Sequence, residues 1–254
     1  MAERLDGTVA LVTGASSGIG EAAARALAAP GAAVALVARR ADRLHRLAGE
    51  IEATGVRAVP VEADVTDQEQ AVGAVEEAVR ELGRLDIVIN NAGVMLLGPV
   101  VDAPTQEWDR MIAVNLNGLL YVAHAALPHL LRAAEQEPRR VADLVNISST
   151  AGRVPRAGAA VYNLTKHGVN AFSEALRQEI TTRHVRVSIV EPGGTNTELQ
   201  SHLRPEILEQ SRKRFEGVER LEAEDVADAI AYIVTRPRRV AVNELLVRPT
   251  EQAL

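Results

Sequence analysis

The chain has 254 residues, 47% of them hydrophobic and 24% charged, with a formal net charge of −6, which is the profile of a soluble globular protein of one large or two small domains. Its negative balance argues against a general nucleic-acid or anionic-membrane binder, and the lack of cysteine removes disulfide and thiolate chemistry. Aromatic residues make up only 2%, so the core must be built from Ala, Val, Leu and Ile, which suits helices packed closely on a sheet.

Thr8–Thr13 is a short β-branched run that reads as a first strand, and it begins too early to leave room for a signal peptide. It runs into Gly14-Ala-Ser16-Ser17-Gly18-Ile19-Gly20 and then into a helical pattern over Ile19–Ala29, with Pro30 near its end, where a helix tolerates proline. Strand Ala33–Ala38 leads through Arg39 and Arg40 into helix Asp42–Ala53, and strand Val56–Val61 follows. Thr66-Asp67-Gln68-Glu69 reads as a capping box that opens helix Asp67–Leu82. Strand Ile87–Asn90 and helix Trp108–Ala134 come next, then Glu135–Arg140, a polar, Pro-containing stretch expected to be a surface loop. Strand Leu144–Ser148, helix Val161–Thr182 and strand Arg186–Glu191 complete the regular rhythm. Gly193–Gly217 is long, charged and sparsely apolar (Leu199, Leu203, Ile207, Leu208, Phe215), which suits a mobile lid over a pocket. Helix Ala223–Thr235 and strand Glu244–Val247 close the chain.

Apolar strands alternating this regularly with helices predict an α/β fold in which a doubly wound, seven-stranded parallel sheet is covered by helices on both faces. No linker, repeat or low-complexity tract divides it, so residues 1–254 are expected to form a single domain. No apolar run approaches the roughly 18 residues that a membrane span needs, and a soluble cytoplasmic protein is the expectation.

The glycine-rich turn follows the first strand and opens a helix, a placement that lets backbone N–H groups approach a pyrophosphate at the positive end of that helix. Its spacing is Gly-x-x-x-Gly-x-Gly, and no Gly-Lys-[Ser/Thr] follows, so a nucleoside triphosphatase loop is disfavoured. Gly14-Ala-Ser16-Ser-Gly18 also fits the Gly-x-Ser-x-Gly nucleophile elbow, which keeps open an α/β hydrolase with Ser16 as nucleophile. The six histidines show no metal-ligand spacing, and no metal site is expected.

Only two of the 28 basic residues are lysine, and one of them, Lys166, stands one helical turn after Tyr162 in Tyr-Asn-Leu-Thr-Lys. Positions i and i+4 share a helix face, so the ammonium and the phenol can occupy one small volume. A neighbouring positive charge is expected to lower the phenol pKa and make a proton donor usable near neutral pH.

With these pieces in place, the chain strongly resembles the short-chain dehydrogenase/reductase family over nearly its full length. The resemblance rests on Thr13-Gly14-x-x-x-Gly18-x-Gly20, Asp64, Asn90-Asn91-Ala92-Gly93, Asn115, Ser149, Tyr162-x-x-x-Lys166 and Pro192-Gly193 in that order. It implies a Rossmann-type fold, a nicotinamide cofactor, and a homodimer or homotetramer acting on a small carbonyl or alcohol substrate. It also implies roles: Tyr162 as general acid or base, Ser149 on the substrate oxygen, Lys166 on the nicotinamide ribose, and Asn115 holding a relay water. Asp64 and Val65 would lie at the adenine, Asn91, Ala92 and Gly93 along the adenosine side, and Pro192, Gly193 and Thr195 at the other end of the cofactor. A non-catalytic cofactor-binding regulator on the same fold is the third reading.

Readers of NAD usually carry an acidic residue at the end of the second strand, to hold the ribose hydroxyls. Here Ala38 is followed by Arg39 and Arg40, so NADP(H) is the expected cofactor, with Arg39 as main contact to its 2′-phosphate and Arg40 as second. The substrate is expected against Met95, Ser149 and Gly194, with Arg153 as candidate anion anchor. Stretches such as Thr150-Ala-Gly-Arg153-Val-Pro are similar to those of bacterial clavulanate (clavaldehyde) dehydrogenases and related reductases of small hydroxy acids.

Overall fold

A computed structural model describes residues 4–214 and 216–253. Its strands are β1 (Val9–Thr13), β2 (Ala33–Ala38), β3 (Ala58–Glu62), β4 (Ile87–Asn90), β5 (Ala142–Ile147), β6 (Val185–Pro192) and β7 (Glu244–Val247). They form one parallel sheet in the order β3-β2-β1-β4-β5-β6-β7. The helices are α1 (Gly18–Ala28), α2 (Ala41–Glu52), α3 (Gln68–Leu82), α4 (Thr105–Ile112), α5 (Leu119–Ala134), α6 (Ala160–Ile180), α7 (Pro205–Arg214) and α8 (Ala223–Val234).

Side-chain alternation along each strand feeds two cores, one per face. From β1, Ala10 and Val12 join α1, α2 and α8 on one side, while Val9 and Leu11 join α3, α5 and Leu176 of α6 on the other. Both faces are therefore buried, which is why the strands read as unbroken apolar runs. Small side chains such as Ala22, Ala23 and Ala24 of α1 let the helices approach closely, in place of the missing aromatics. The strand order reverses between β1 and β4, and it is there, beyond the carboxyl ends, that an open α/β sheet leaves a crevice.

Several local expectations change. The cap of α3 is Asp67, whose carboxylate accepts from Gln70 N–H at 3.0 Å, not Thr66. Thr66 instead donates both its N–H and its hydroxyl to Asp64 Oδ1. The helix expected from Trp108 starts at Thr105 and carries a π-helical turn, Ala113–Gly118, in its middle. This Thr105–Ala134 rod is long and apolar enough to cross a membrane by length and composition, yet Val122, Ala126 and Leu130 pack into the core beneath the sheet. Along α6, Val169 and Leu176 are buried, and Phe172 and Ile180 pack against the second cluster. Phe215 lies outside the described residues.

Glu135–Arg140 is more than a surface loop. It delivers the Arg139 side chain, 4% exposed, to the fully buried Asp143 of β5 at 2.9 Å. Arg186 of β6 grips the same carboxylate with Nε at 2.6 Å and Nη2 at 2.9 Å, and both arginines also donate to the Val234 carbonyl at the end of α8. Asp143→Ala would leave two buried guanidinium groups without their anion, and urea unfolding should record a loss of about 3–5 kcal/mol. A loss under about 1 kcal/mol would mean that the cluster does not tie β5, β6 and α8 together.

Candidate active site

A cleft of about 640 Å³ runs along the carboxyl ends of the strands, from Arg39 and Arg40 at one end to Ser149 and Tyr162 at the other. At its floor the turn after β1 needs glycine. Gly14 has φ +67°, and a Cβ there would lie 2.8 Å from Asn91 Nδ2 and 3.0 Å from Ala92 Cα. At Gly20 a Cβ would sit 2.3 Å from the Gly14 carbonyl oxygen, so only glycine lets α1 start this close to the strand. Ser17 stands at the N-cap of α1 in extended conformation without a side-chain capping bond, leaving the first helical amides for a ligand. Asn91 lines the cleft, but its amide donates to the Thr13 and Gly14 carbonyls at 3.0 and 3.4 Å and so holds the turn.

At the basic end, Arg40 donates from Nε to Ser16 Oγ at 3.0 Å and from Nη2 to Ser17 Oγ at 2.7 Å. Arg39 is more exposed and reaches Asp64 Oδ2 at 3.4 Å. Bonds from Thr66 and the nearby Arg39 charge hold the Asp64 carboxyl below its ordinary value despite partial burial. Val65, Ala92 and Ile19 complete this part of the wall.

At the other end, α6 brings Tyr162 and Lys166 to one face, both buried, with the Lys166 Nζ 5.9 Å from the Tyr162 ring centroid. Nζ donates to the Ile147 carbonyl at 2.8 Å, which fixes it under the end of β5. Ser149 follows that strand, and its hydroxyl accepts from Ala151 N–H at 3.1 Å. Gly93 lines the cleft beside this group, where a Cβ would stand 3.4 Å from Asn115 Oδ1 and 4.0 Å from Lys166 Nζ, ordinary contact distances.

The charge states differ from expectation. Burial is the larger influence on Tyr162 and pushes its phenol above the ordinary value, against a smaller downward pull from hydrogen bonding with Ser149. Burial likewise brings Lys166 down to about 8. The expected acidification of the phenol by the ammonium is therefore absent in this state: the two groups lie in the same desolvated volume, and desolvation outweighs their mutual effect.

Every cofactor residue anticipated from sequence lines the cleft except Gly20, which packs beneath it. Asn115 lies behind the wall in the π-helical turn. Its side chain accepts from Val94 N–H at 2.8 Å and donates to the Val94 carbonyl and Thr165 Oγ1, so it braces the wall rather than facing the cleft. Met95, Ser149 and Gly194 line the substrate end, but Arg153 does not: it pairs with the fully buried Glu191 and with Glu244. A buried carboxylate must be paired, and Arg153 is the cation that meets Glu191. Arg156 lines the cleft instead. Glu198, His202 and Gln252, which line the cleft, were missed. Arg43, one turn after Arg40, carried a sequence signal, whereas Glu198 meets Arg40 and Arg43 across 158 and 155 residues and had none.

The short chain dehydrogenase family profile matches residues 8–208. The chain is 40% identical over 250 residues to a glycine betaine reductase of Emericella nidulans, a match that covers 98% of this chain but only 19% of that protein. It is 38% identical over 241 residues to an uncharacterised oxidoreductase of Staphylococcus aureus, covering 95% of this chain and 96% of the relative. Among solved structures, a serine dehydrogenase complexed with NADP+ superposes with a TM-score of 0.86 at 32% identity, covering 97% of each chain. The chain belongs to the short-chain dehydrogenase family, and it is an oxidoreductase of that family.

The buried lysine has a measurable consequence in the free protein. Between pH about 8 and 10 the folded chain binds fewer protons at Lys166 than the unfolded chain, so this residue makes stability rise with pH across that window. Tyr162, shifted upward, acts in the opposite sense only above its ordinary value of about 10. Urea midpoints measured from pH 7 to 10 should therefore climb more steeply in the wild type than in Lys166→Met. Parallel curves would show that Lys166 titrates as a solvated lysine.

Proposed function

We propose that this protein is an NADP(H)-dependent oxidoreductase that interconverts a small aldehyde or ketone and its alcohol. The observation that carries the reading is one continuous cleft with a pair of arginines over a glycine-rich turn at one end and Ser149, Tyr162 and Lys166 at the other. The residues suit a dinucleotide: bare helix amides and glycines where a pyrophosphate needs close backbone approach, and guanidinium groups where a 2′-phosphate needs them. A bound nicotinamide ring supplies or accepts the hydride.

The chain's own groups handle the oxygen and its proton. Ser149 and Tyr162 donate hydrogen bonds to the substrate carbonyl, where negative charge develops as the hydride arrives. Tyr162 gives its proton to that oxygen in reduction and takes it back in oxidation. The phenol keeps its proton until needed, because burial holds it neutral. Lys166, charged below pH about 8, then stabilises the phenolate left behind. Met95, Leu97 and Ile207 make the substrate end apolar and suit a compact carbonyl compound, and Arg156 on the same wall suits one that carries a carboxylate.

The hydrolase alternative is disfavoured by the bonding of Ser16, whose oxygen accepts from the Arg40 guanidinium, a group that cannot serve as a base. A cytoplasmic homodimer or homotetramer is part of the same proposal. Assembly is supported by β7 at the sheet edge with Leu246 41% exposed, and by Leu164 on α6, 60% exposed.

A panel of small aldehydes and ketones assayed with NADPH and NADH tests the reading. Turnover should appear with NADPH, and Tyr162→Phe, which keeps the ring and removes the proton, should lower it by roughly 10²–10⁴ with cofactor affinity little changed. Undiminished turnover in Tyr162→Phe would remove the phenol from the mechanism. Cofactor binding without turnover on any carbonyl would favour a regulator on this fold.

A further inference from the structure

Glu198 opens the first turn of the segment that follows β6, and its carboxylate lies between two guanidinium groups at the start of α2. Oε2 accepts from Arg40 Nη1 and Oε1 from Arg43 Nη1, each at 2.7 Å. Arg40 is anchored at the same time on Ser16 and Ser17, so Glu198 is tied to the glycine-rich turn itself. The preceding residue, Thr197, lies over that turn, with its Cβ and Cγ2 3.2 Å from where a Gly18 Cβ would stand. Thr197 Oγ1 also accepts from Leu199 N–H at 3.3 Å, which fixes the geometry of the short helical turn beginning at Glu198.

A carboxylate held by two arginines presents the same pattern of anionic oxygens to them as a phosphate monoester does. We propose that Glu198 is an internal competitor for the 2′-phosphate of the cofactor and a determinant of discrimination between the two nicotinamide dinucleotides. The phosphorylated cofactor displaces Glu198 from Arg40 and Arg43 and releases the start of the 193–217 segment, whereas the unphosphorylated one leaves the latch in place. This inference rests on the NADP(H) assignment made above.

Glu198 is an anion wherever the protein works, since hydrogen bonds from Arg40 and Arg43 hold its carboxyl down to about 2. The latch is nonetheless exchangeable. The side chains of Glu198, Arg40 and Arg43 are 48%, 41% and 33% exposed, and ion pairs this open to water are individually weak. Linkage requires reciprocity, so whatever weakens the latch must tighten the binding that breaks it. Re-forming it assists departure of the spent cofactor.

Adenosine 2′,5′-bisphosphate and 5′-AMP differ only in the phosphate at issue and serve as probes for calorimetry on the full chain. Glu198→Gln should bind the bisphosphate roughly three- to tenfold more tightly than wild type, the scale of releasing two partly exposed ion pairs, with AMP affinity unchanged. In wild-type protein, hydrogen exchange at the Leu199 and Leu203 amides should quicken with the bisphosphate and not with AMP. A wild-type preference for the bisphosphate that does not respond to Glu198→Gln, with equal exchange under both probes, overturns the latch and leaves the cofactor assignment standing. Wild type with no preference between the probes overturns both.

Discussion

The clamp between Thr13 and Asn91 joins the carboxyl ends of β1 and β4 at the place where the strand order turns back. The Thr13 hydroxyl accepts from the N–H groups of Asn91 and Ala92 at 3.0 Å each, and the Asn91 amide returns a bond to the Thr13 carbonyl at 3.0 Å. Each strand would otherwise end in backbone groups facing an open crevice, where unpaired polar atoms are costly. The clamp meets those needs and sets the spacing of the two walls. The glycine-rich turn can then be tight, because Gly14 and Gly20 leave no side chain between it and Asn91. Binding elements from β1 and catalytic elements from β5 and α6 thus face one another across a crevice of fixed width.

What the site does with charge follows from burial more than from pairing. Tyr162 and Lys166 are both buried in the cleft wall, and in the free protein burial pushes each toward its neutral form. Such a pair is held ready rather than already ionised: a phenol that keeps its proton is a donor in reduction, and a lysine that titrates near 8 is still charged at neutral pH. The anion becomes favourable only when substrate oxygen and cofactor change the surroundings. Asn115 and the π-helical turn that carries it support this arrangement from behind by fixing Val94, next to Gly93 in the cleft wall.

Most of the fold is legible in the sequence, because apolar strand runs such as Ala33–Ala38 and helix-periodic stretches such as Gln68–Leu82 are set by local chemistry. The same holds for the Tyr162–Lys166 pair, whose spacing alone puts both groups on one helix face. What could not be read is the pairing of charges across long sequence separations. Arg153 and Arg156 are indistinguishable as symbols three residues apart. The fold turns one toward Glu191 and the other toward the cleft, because β6 ends with a buried carboxylate that needs a cation. Arg139 looked like part of a solvated loop for the same reason, since its partner Asp143 declares itself only once β5 and β6 are side by side. Burial is equally silent in a sequence, which is why the sign of the Tyr162 shift came out reversed.

Both arginine groups of the molecule illustrate how one chemistry takes two roles. Arg139 and Arg186 meet Asp143 in the interior, where exposure is 6% or less and breaking the set would strand a charge. Arg40 and Arg43 meet Glu198 at the mouth of the cleft, where all three side chains keep at least a third of their surface in water. Coulomb attraction at equal distance is far weaker in the second setting, and water can replace either partner at small cost. The first set is therefore fixed and structural, and the second is free to trade one anion for another. A guanidinium pair that already has a carboxylate also avoids standing as bare, mutually repelling positive charge in the free protein. That arrangement keeps the basic end of the cleft ordered before any ligand arrives, and it makes phosphate recognition an exchange between anions rather than the neutralisation of an empty site.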